Sequence, residues 1–575
     1  MIPRFVCLLL APALLWGASR EEFESHVQSG VMVAMRDGVK LATDIYRPAR
    51  NGAPVDGKFP VLLYRTPYNK VGAGRETSYF ARHGYVVLSQ DCRGRFASEG
   101  DFYPFLNEGP DGYDTIEWAA AQPWSNGKVG TIGGSYLAWD QYYAAMYRPP
   151  HLVAMFALVG GANFIEEYGL PGGAPNLGWP LWILSSAASS PQAARDPQAR
   201  EPLAQALKNP RSWLDLHPQK RAEVFDSFPA HKKVYQDLYA HPTFDDYWKH
   251  KAFYISGHHK EMKDVPIFFL SGWYDYFGEG VLDNYTALSR LQKTPKKLLM
   301  GPWPHGTGRA ECGDASFGPA AAVNQSELAL DWFDHWMKDD PFEQIGPEPV
   351  RIFRMGGGAD ARRHGGEWRT ASAWPPPAAR PSKYYLGAGG GLRAVPAPGD
   401  PAAFVYDPEN PVPTIGGRYN HGGASPCAQN QAPLNGRPDI LSYSSEPLAS
   451  PVEVTGKIRA RLWVASDAPS TDFTAKLIDV YPDGYALILA DGQVRRRFPK
   501  PGVAEQVEID LGSTSNLFAA GHRIRVDVSS SNYPRFEPNP NTGEPLGRWS
   551  RRVKARNTVY QDSRRASYVE LPLIP

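Results

Sequence analysis

The chain carries almost no net charge: 61 Lys and Arg stand against 60 Asp and Glu, leaving +1 over 575 residues. That balance excludes the global basic field with which a protein holds nucleic acid or anionic lipid. Cysteine is scarce, at four residues. Cys7 lies in the N-terminal segment, and Cys92, Cys312 and Cys427 are an odd set without metal-ligand spacing, which allows one disulfide of unspecified pairing and no metal site. Past the N-terminus no apolar run approaches the ~18 residues that a membrane helix needs, so the mature protein is expected to be soluble. Internal repeats are absent. The glycine cluster Gly387–Gly391 lacks a GKS/GKT signature and a βαβ setting, so it is no phosphate loop.

What is plentiful is glycine and proline, 55 and 54 residues, which points to many turns. The length suggests about two to four domains. The N-terminus has the layout of a secretory signal: Arg4, an uncharged apolar run from Phe5 to Trp16, then Gly17-Ala18-Ser19. A signal over residues 1–18 predicts a secreted or periplasmic protein.

Val31 to Arg47 reads as a hairpin turning at Asp37-Gly38. Short apolar runs of buried-strand character follow at Val61–Tyr64, Tyr85–Leu88, Leu152–Val159, Val265–Leu270 and Leu298–Met300. Helical stretches at Gly112–Ala121 and Tyr136–Met146 separate several of them, and this alternation predicts a largely parallel sheet covered on both faces. It is interrupted over residues 163–263 by an insertion with helical patterning at Pro202–Leu207 and Ala222–Phe228. It closes with a helix at Gln325–Met337 behind an Asn324/Glu327 capping box. From about Pro349 alternating runs such as Ile458–Trp463 and Ile524–Ser529, divided by turn residues, predict an all-β sandwich.

The sharpest chemical signal is Gly133-Gly134-Ser135-Tyr136. A strand runs into a serine on a tight turn, and the following helix aims its amides at the site. Asp275 follows the strand at Val265–Leu270, and His305 follows Leu298–Met300. Each of the three thus lies just past the carboxyl end of a candidate strand, where open α/β sheets form their sites. Ser, Asp, His is also the chain order of α/β-hydrolase triads.

Arg65-Thr-Pro-Tyr68, Asp91-Cys-Arg-Gly-Arg95, Gly133-Gly-Ser135-Tyr136, Gly272-Trp-Tyr-Asp275 and Gly301-Pro-Trp-Pro-His305, spread over most of the chain, resemble the family of bacterial cocaine esterase. That family also holds the α-amino-acid ester hydrolases, glutaryl-acylase-like enzymes and Xaa-Pro dipeptidyl-peptidases. The family's serine motif ends in glycine where this chain has Ala138, a methyl that would tighten helix–strand packing. The resemblance implies an α/β-hydrolase core (25–162 and 264–345), an inserted helical cap (163–263) and a C-terminal jelly roll (349–575). It also implies an oxyanion hole made by the Tyr68 hydroxyl and the Tyr136 amide.

The expected reaction is acyl transfer to water from a small-molecule ester or amide, with Ser135 as nucleophile, His305 as base and Asp275 orienting it. This chemistry calls for no metal or organic cofactor. The acidic pair that in α-amino-acid ester hydrolases follows the triad aspartate is replaced here by Tyr276-Phe277-Gly278, which disfavours α-amino esters. Phe164, Tyr168, Trp182 and Phe277 are the candidate pocket, apolar and aromatic. Glu166-Glu167 reads as a solvated helix face, His258-His259 as a surface loop without a carboxylate at helical spacing, Arg495–Arg497 as a solvated strand edge, and Asp91–Arg95 as a structural turn. Two alternatives stay open: a dipeptidyl-peptidase, and a catalytically silent binding protein that uses its jelly roll. The sequence does not disclose an oligomeric state.

Overall fold

The computed structural model describes residues 22–306, 308–360, 362–397, 399–419, 421 and 426–575. The expected signal over 1–18 lies outside them. The first elements are β1 (Glu24–Ala34), β2 (Lys40–Arg50), β3 (Phe59–Thr66), α1 (Gly74–Arg82), β4 (Val86–Asp91), α2 (Glu108–Ala120), β5 (Ser125–Gly134), α3 (Tyr136–Met146) and β6 (Leu152–Leu158). The insertion contributes α4 (Gly178–Ala188), α5 (Pro197–Lys208) and α6 (Pro229–Ala240), after which β7 (Ile267–Tyr274), α7 (Gly278–Leu291), β8 (Lys296–Pro304), α8 (Gln325–Lys338) and β9 (Val350–Gly356) follow.

The sheet runs β1-β2-β4-β3-β5-β6-β7-β8-β9. β1 and β2 are antiparallel, as is β2 on β4, and every later pairing is parallel. With β3 between β4 and β5, the chain crosses over through α1 and then α2, the order of an α/β-hydrolase. The strands are buried on both faces because their successive side chains feed two separate cores. Leu62, Tyr64, Phe268 and Leu270 pack with Phe80 of α1 and with Trp332 and Phe333 of α8. Val61, Leu63, Ile267 and Phe269 pack with Ile116 of α2, Tyr142 of α3 and Val281 of α7. All eight residues of β7 are buried, the near-continuous apolar run of a strand covered on both sides.

Helix starts follow local chemistry. Asn324 Oδ1 accepts from the amides of Ser326 and Glu327, capping α8. In the insertion Asp196 accepts from the Ala199 amide and Pro197 opens α5 with its φ already helical. The expected helix at Ala222–Phe228 is instead the end of a short helix, Pro218–Ala222, and a 3₁₀ turn, Glu223–Phe225, stopped by Phe228 ahead of Pro229.

Beyond β9 the chain is strand-rich and almost wholly antiparallel. Val452–Ser466 pairs with Glu505–Phe518, and Ser470–Val480 pairs with both Ala486–Arg497 and Arg523–Ser529. β9 joins this region to the core: Val350–Ile352 pair with β8, and Met355 and Gly356 further along the same strand pair with Glu505–Phe518. Cys312 and Cys427 form a disulfide that ties the loop after β8 to the strand-rich region, and Cys92 is a buried thiol. Among the described residues no helix is long and apolar enough to cross a membrane.

Three surface expectations are corrected. His259 is buried and bonds Asn284 at 2.7 Å, and His258 does have a carboxylate at helical spacing, Glu261 at 2.7 Å. Arg495 turns inward to pair with buried Asp472 at 2.8 Å, so the Arg495–Arg497 run is a solvated edge only at Arg496 and Arg497. Glu167 is no solvated side chain, for reasons that belong to the site.

Candidate active site

β5 ends at Gly134 and α3 begins at Tyr136, so Ser135 alone makes the turn. Its φ of 60° and ψ of −123° are strained for a residue with a Cβ. The Ser135 amide is anchored to the Leu158 carbonyl of β6 at 3.0 Å, which fixes the turn against the neighbouring strand. Gly133 is required beside it: its φ is 144°, and a Cβ there would lie 2.5 Å from Leu137 Cβ. Ala138, the departure from the family motif, is accommodated because residue 160 is glycine; a Cβ on Gly160 would stand 2.6 Å from that of Ala138.

Asp275 sits one residue past β7 and is fully buried. Its Oδ1 accepts from His305 Nδ1 at 2.8 Å and from the Phe277 amide at 3.0 Å, and its Oδ2 accepts from Ser271 Oγ at 2.6 Å. Three donors hold the carboxylate in one orientation. The bond at Nδ1 leaves Nε2 as the free nitrogen of His305. Gly272 allows the close approach of β8, since a Cβ there would lie 2.1 Å from the Trp303 carbonyl oxygen.

Tyr68 lies two residues past β3 and exposes 48% of its surface at the mouth of the site. Its hydroxyl nonetheless lies within packed surroundings: Trp182 Nε1 donates to it at 3.1 Å, and burial, opposed by hydrogen bonds from Trp182 and Ser135, pushes its pKa up to about 12. The phenol therefore keeps its proton and can donate it. The segment is pinned by buried Arg95, whose Nε donates to the Pro67 carbonyl and whose Nη1 donates to Ser186 O on α4, the helix that carries Trp182. This gives the Asp91–Arg95 turn its structural task. The Tyr136 amide is the first of α3, a position without an intrahelical partner. The Tyr136 hydroxyl is buried elsewhere, donating to Glu108 Oε1 at 2.9 Å and accepting from the Phe105 amide at 2.8 Å.

Ser135 opens on a small pocket lined by Tyr68, Phe105, Trp139, Phe164, Tyr168, Trp179, Trp182, Tyr276 and Phe277, with no charged side chain among them. All four expected pocket residues are there. Tyr276 was not among the expected residues although it directly follows Asp275; its ring stacks on His305 at 4.3 Å and on Tyr168 at 4.7 Å. His421, from the strand-rich region, also reaches this group, and its distance along the chain left no local signal. Glu167 accepts from the amides of Ala162 and Asn163 at 2.9 and 2.8 Å, and burial holds its carboxyl well above the usual carboxylate range. It caps backbone rather than facing solvent.

Among the described residues one cluster has metal-ligand chemistry, Cys92, Glu108 and Asp140, whose donor atoms lie within 4.8 Å of one another. Arg65 already supplies the positive charge there, pairing with Glu108 at 2.8 Å. The cluster is a buried ion-pair network beneath α3.

Residues 37–307 match the family described as X-Pro dipeptidyl-peptidase (S15 family), and residues 346–570 match the X-Pro dipeptidyl-peptidase C-terminal non-catalytic domain. The chain is 35% identical to cocaine esterase from Rhodococcus sp. (strain MB1 Bresler), over 95% of this chain and 98% of that protein. In fold it resembles an aminopeptidase from the marine sediment archaeon Thaumarchaeota archaeon, with a TM-score of 0.81, 24% identity and coverage of 97% of this chain and 98% of the other. It likewise resembles an α-amino acid ester hydrolase, with a TM-score of 0.78, 24% identity and coverage of 99% and 100%.

Proposed function

The chain belongs to the serine hydrolase family that contains cocaine esterase and the X-Pro dipeptidyl-peptidases of the S15 type, and we propose that it hydrolyses carboxylic esters of apolar or aromatic acyl groups at Ser135. The observation that carries this reading is the His305–Asp275 bond, together with a strained Ser135 that opens on an uncharged aromatic pocket.

In the proposed mechanism His305 Nε2 takes the Ser135 proton as Oγ attacks the acyl carbonyl. Asp275, held by Ser271 and the Phe277 amide, keeps Nδ1 protonated and stabilises the imidazolium. The Tyr68 hydroxyl and the Tyr136 amide donate to the oxyanion. Tyr68 suits this role because its oxygen already accepts from Trp182, which leaves its own proton free to point at the substrate. His305 then returns the proton to the leaving alcohol, and water, deprotonated by the same imidazole, cleaves the acyl-enzyme.

The aromatic lining favours an ester over a peptide with a free N-terminus. An α-ammonium needs a carboxylate, and the cavity wall contributes none, since Glu167 is already engaged by two backbone amides. The disulfide agrees with an exported protein, the location we propose, and the antiparallel C-terminal strands with the jelly roll that the family resemblance implies. The test is turnover of p-nitrophenyl acetate and butyrate, an aryl benzoate, an α-amino ester and Gly-Pro-p-nitroanilide by wild type and Ser135→Ala. Ester turnover abolished by the substitution supports the esterase reading. Preference for the anilide would replace it with dipeptidyl-peptidase activity, and no turnover at all would favour the silent binding protein.

A further inference from the structure

The three regions of the chain meet around Tyr276, whose ring stacks on His305. Tyr276, from the loop after β7, lies between His305 and Tyr168, with ring centroids 4.3 and 4.7 Å away and both interplanar angles at 23°. Tyr168 belongs to the insertion, and its hydroxyl bonds His421 Nε2 of the strand-rich region at 2.6 Å. The His421 ring also packs against Tyr276 at 5.8 Å. The approach needs residue 178 to be glycine, because a Cβ there would lie 2.7 Å from His421 Cδ2 and 2.8 Å from the Tyr168 hydroxyl.

We propose that His421 is a positioning residue for the catalytic base: as an uncharged hydrogen-bond partner it fixes Tyr168, and through Tyr168 the Tyr276 ring that sets the plane of the His305 imidazole. This deepens the esterase reading and rests on its assignment of His305 as the base. Two physical requirements meet here. The imidazole must stay in the plane that serves both Asp275 and Ser135, and the stacked ring removes its freedom to tilt. The imidazolium formed during turnover also gains from the π-face of Tyr276, which a second positive charge nearby would oppose. Burial and the neighbouring His305 hold the His421 pKa at about 4, so His421 is uncharged near neutral pH.

The test is steady-state kinetics on a p-nitrophenyl ester with the full-length protein. His421→Ala is expected to lower kcat about tenfold, inside the ~10²-fold that a misplaced catalytic group can cost, with KM within about twofold. His421→Gln, an uncharged partner, restores kcat to within about threefold of wild type, and His421→Lys falls below the alanine variant because its charge opposes the imidazolium. Tyr168→Phe keeps the ring and loses the hydroxyl, so it reproduces His421→Ala even if that variant folds poorly. Unchanged kcat in both His421→Ala and Tyr168→Phe, or a change confined to KM, overturns the proposal, the latter by making His421 a pocket wall. Wild type assayed alongside reads the esterase assignment separately: active wild type with indifferent variants removes only the role of His421, whereas inactive wild type removes both.

Discussion

Trp182 Nε1 donates to the Tyr68 hydroxyl at 3.1 Å, joining the inserted helices to the residue proposed as an oxyanion donor. In the proposed mechanism this bond makes the insertion a support of the oxyanion site. Tyr68→Phe is expected to lower kcat by about 10²–10³-fold with little change in KM, the loss typical of one oxyanion donor. Trp182→Phe keeps the aromatic wall and leaves Tyr68 free to rotate, so its kcat falls less, by about tenfold. Equal losses for the two substitutions would contradict this ordering of roles.

The fit of Ala138 against Gly160 predicts a paired effect on stability. Gly160→Ala puts a Cβ 2.6 Å from that of Ala138 and 2.9 Å from Tyr142 Cε2, both in a closed core. Urea denaturation is expected to show a loss of about 1–3 kcal/mol from overpacking. Adding Ala138→Gly relieves only the first contact and recovers part of that loss; fully additive effects would show that the two sites do not touch.

His231 makes stability depend on acidity. Burial, then the charge of Arg95, lowers its pKa from 6.5 to about 4. Between these values the unfolded chain binds the proton and the folded chain does not, so the contribution is fully present above about pH 6.5 and is lost as pH falls toward 4. His231→Phe should therefore show a shallower fall in urea midpoint between about pH 7 and about pH 4.5 than wild type, and an identical slope would remove His231 from the account.

The Cys312–Cys427 bond closes a sequence separation of 115 residues and holds the segment containing His421 near the loop that follows His305. Cross-linking so long a loop contributes about 4–5 kcal/mol in the chain-entropy description. Cys312→Ser is expected to lower the thermal midpoint and also kcat, the second through loss of order at His421. A lower midpoint with unchanged kcat would confine the disulfide to stability.

Much of this was legible in the sequence, for identifiable reasons. β3, β4, β6, β7 and β8 are apolar because both faces of a parallel sheet are covered, and a strand of that kind is visible in one chain. Ser135, Asp275 and His305 could be grouped because each follows the carboxyl end of a candidate strand, and their order matched one fold. The family resemblance, rather than any local pattern, supplied Tyr68. Charged residues were harder to place: Glu167, His259 and Arg495 look solvated by composition, yet each is turned inward by a partner elsewhere, at Ala162, Asn284 and Asp472. His421 was hidden for the same reason, since its partner Tyr168 stands 253 positions away. Contacts of that separation leave no periodicity to read.

The most direct test of the central claim is fluorophosphonate labelling of the full-length protein, read by peptide mass spectrometry, in wild type, Ser135→Ala and His305→Ala. The account predicts one adduct, on the peptide carrying Ser135 in wild type, absent from Ser135→Ala and strongly slowed in His305→Ala. Wild type left unlabelled, or an adduct that persists on another residue in Ser135→Ala with ester turnover intact, would contradict the assignment of Ser135 as the nucleophile.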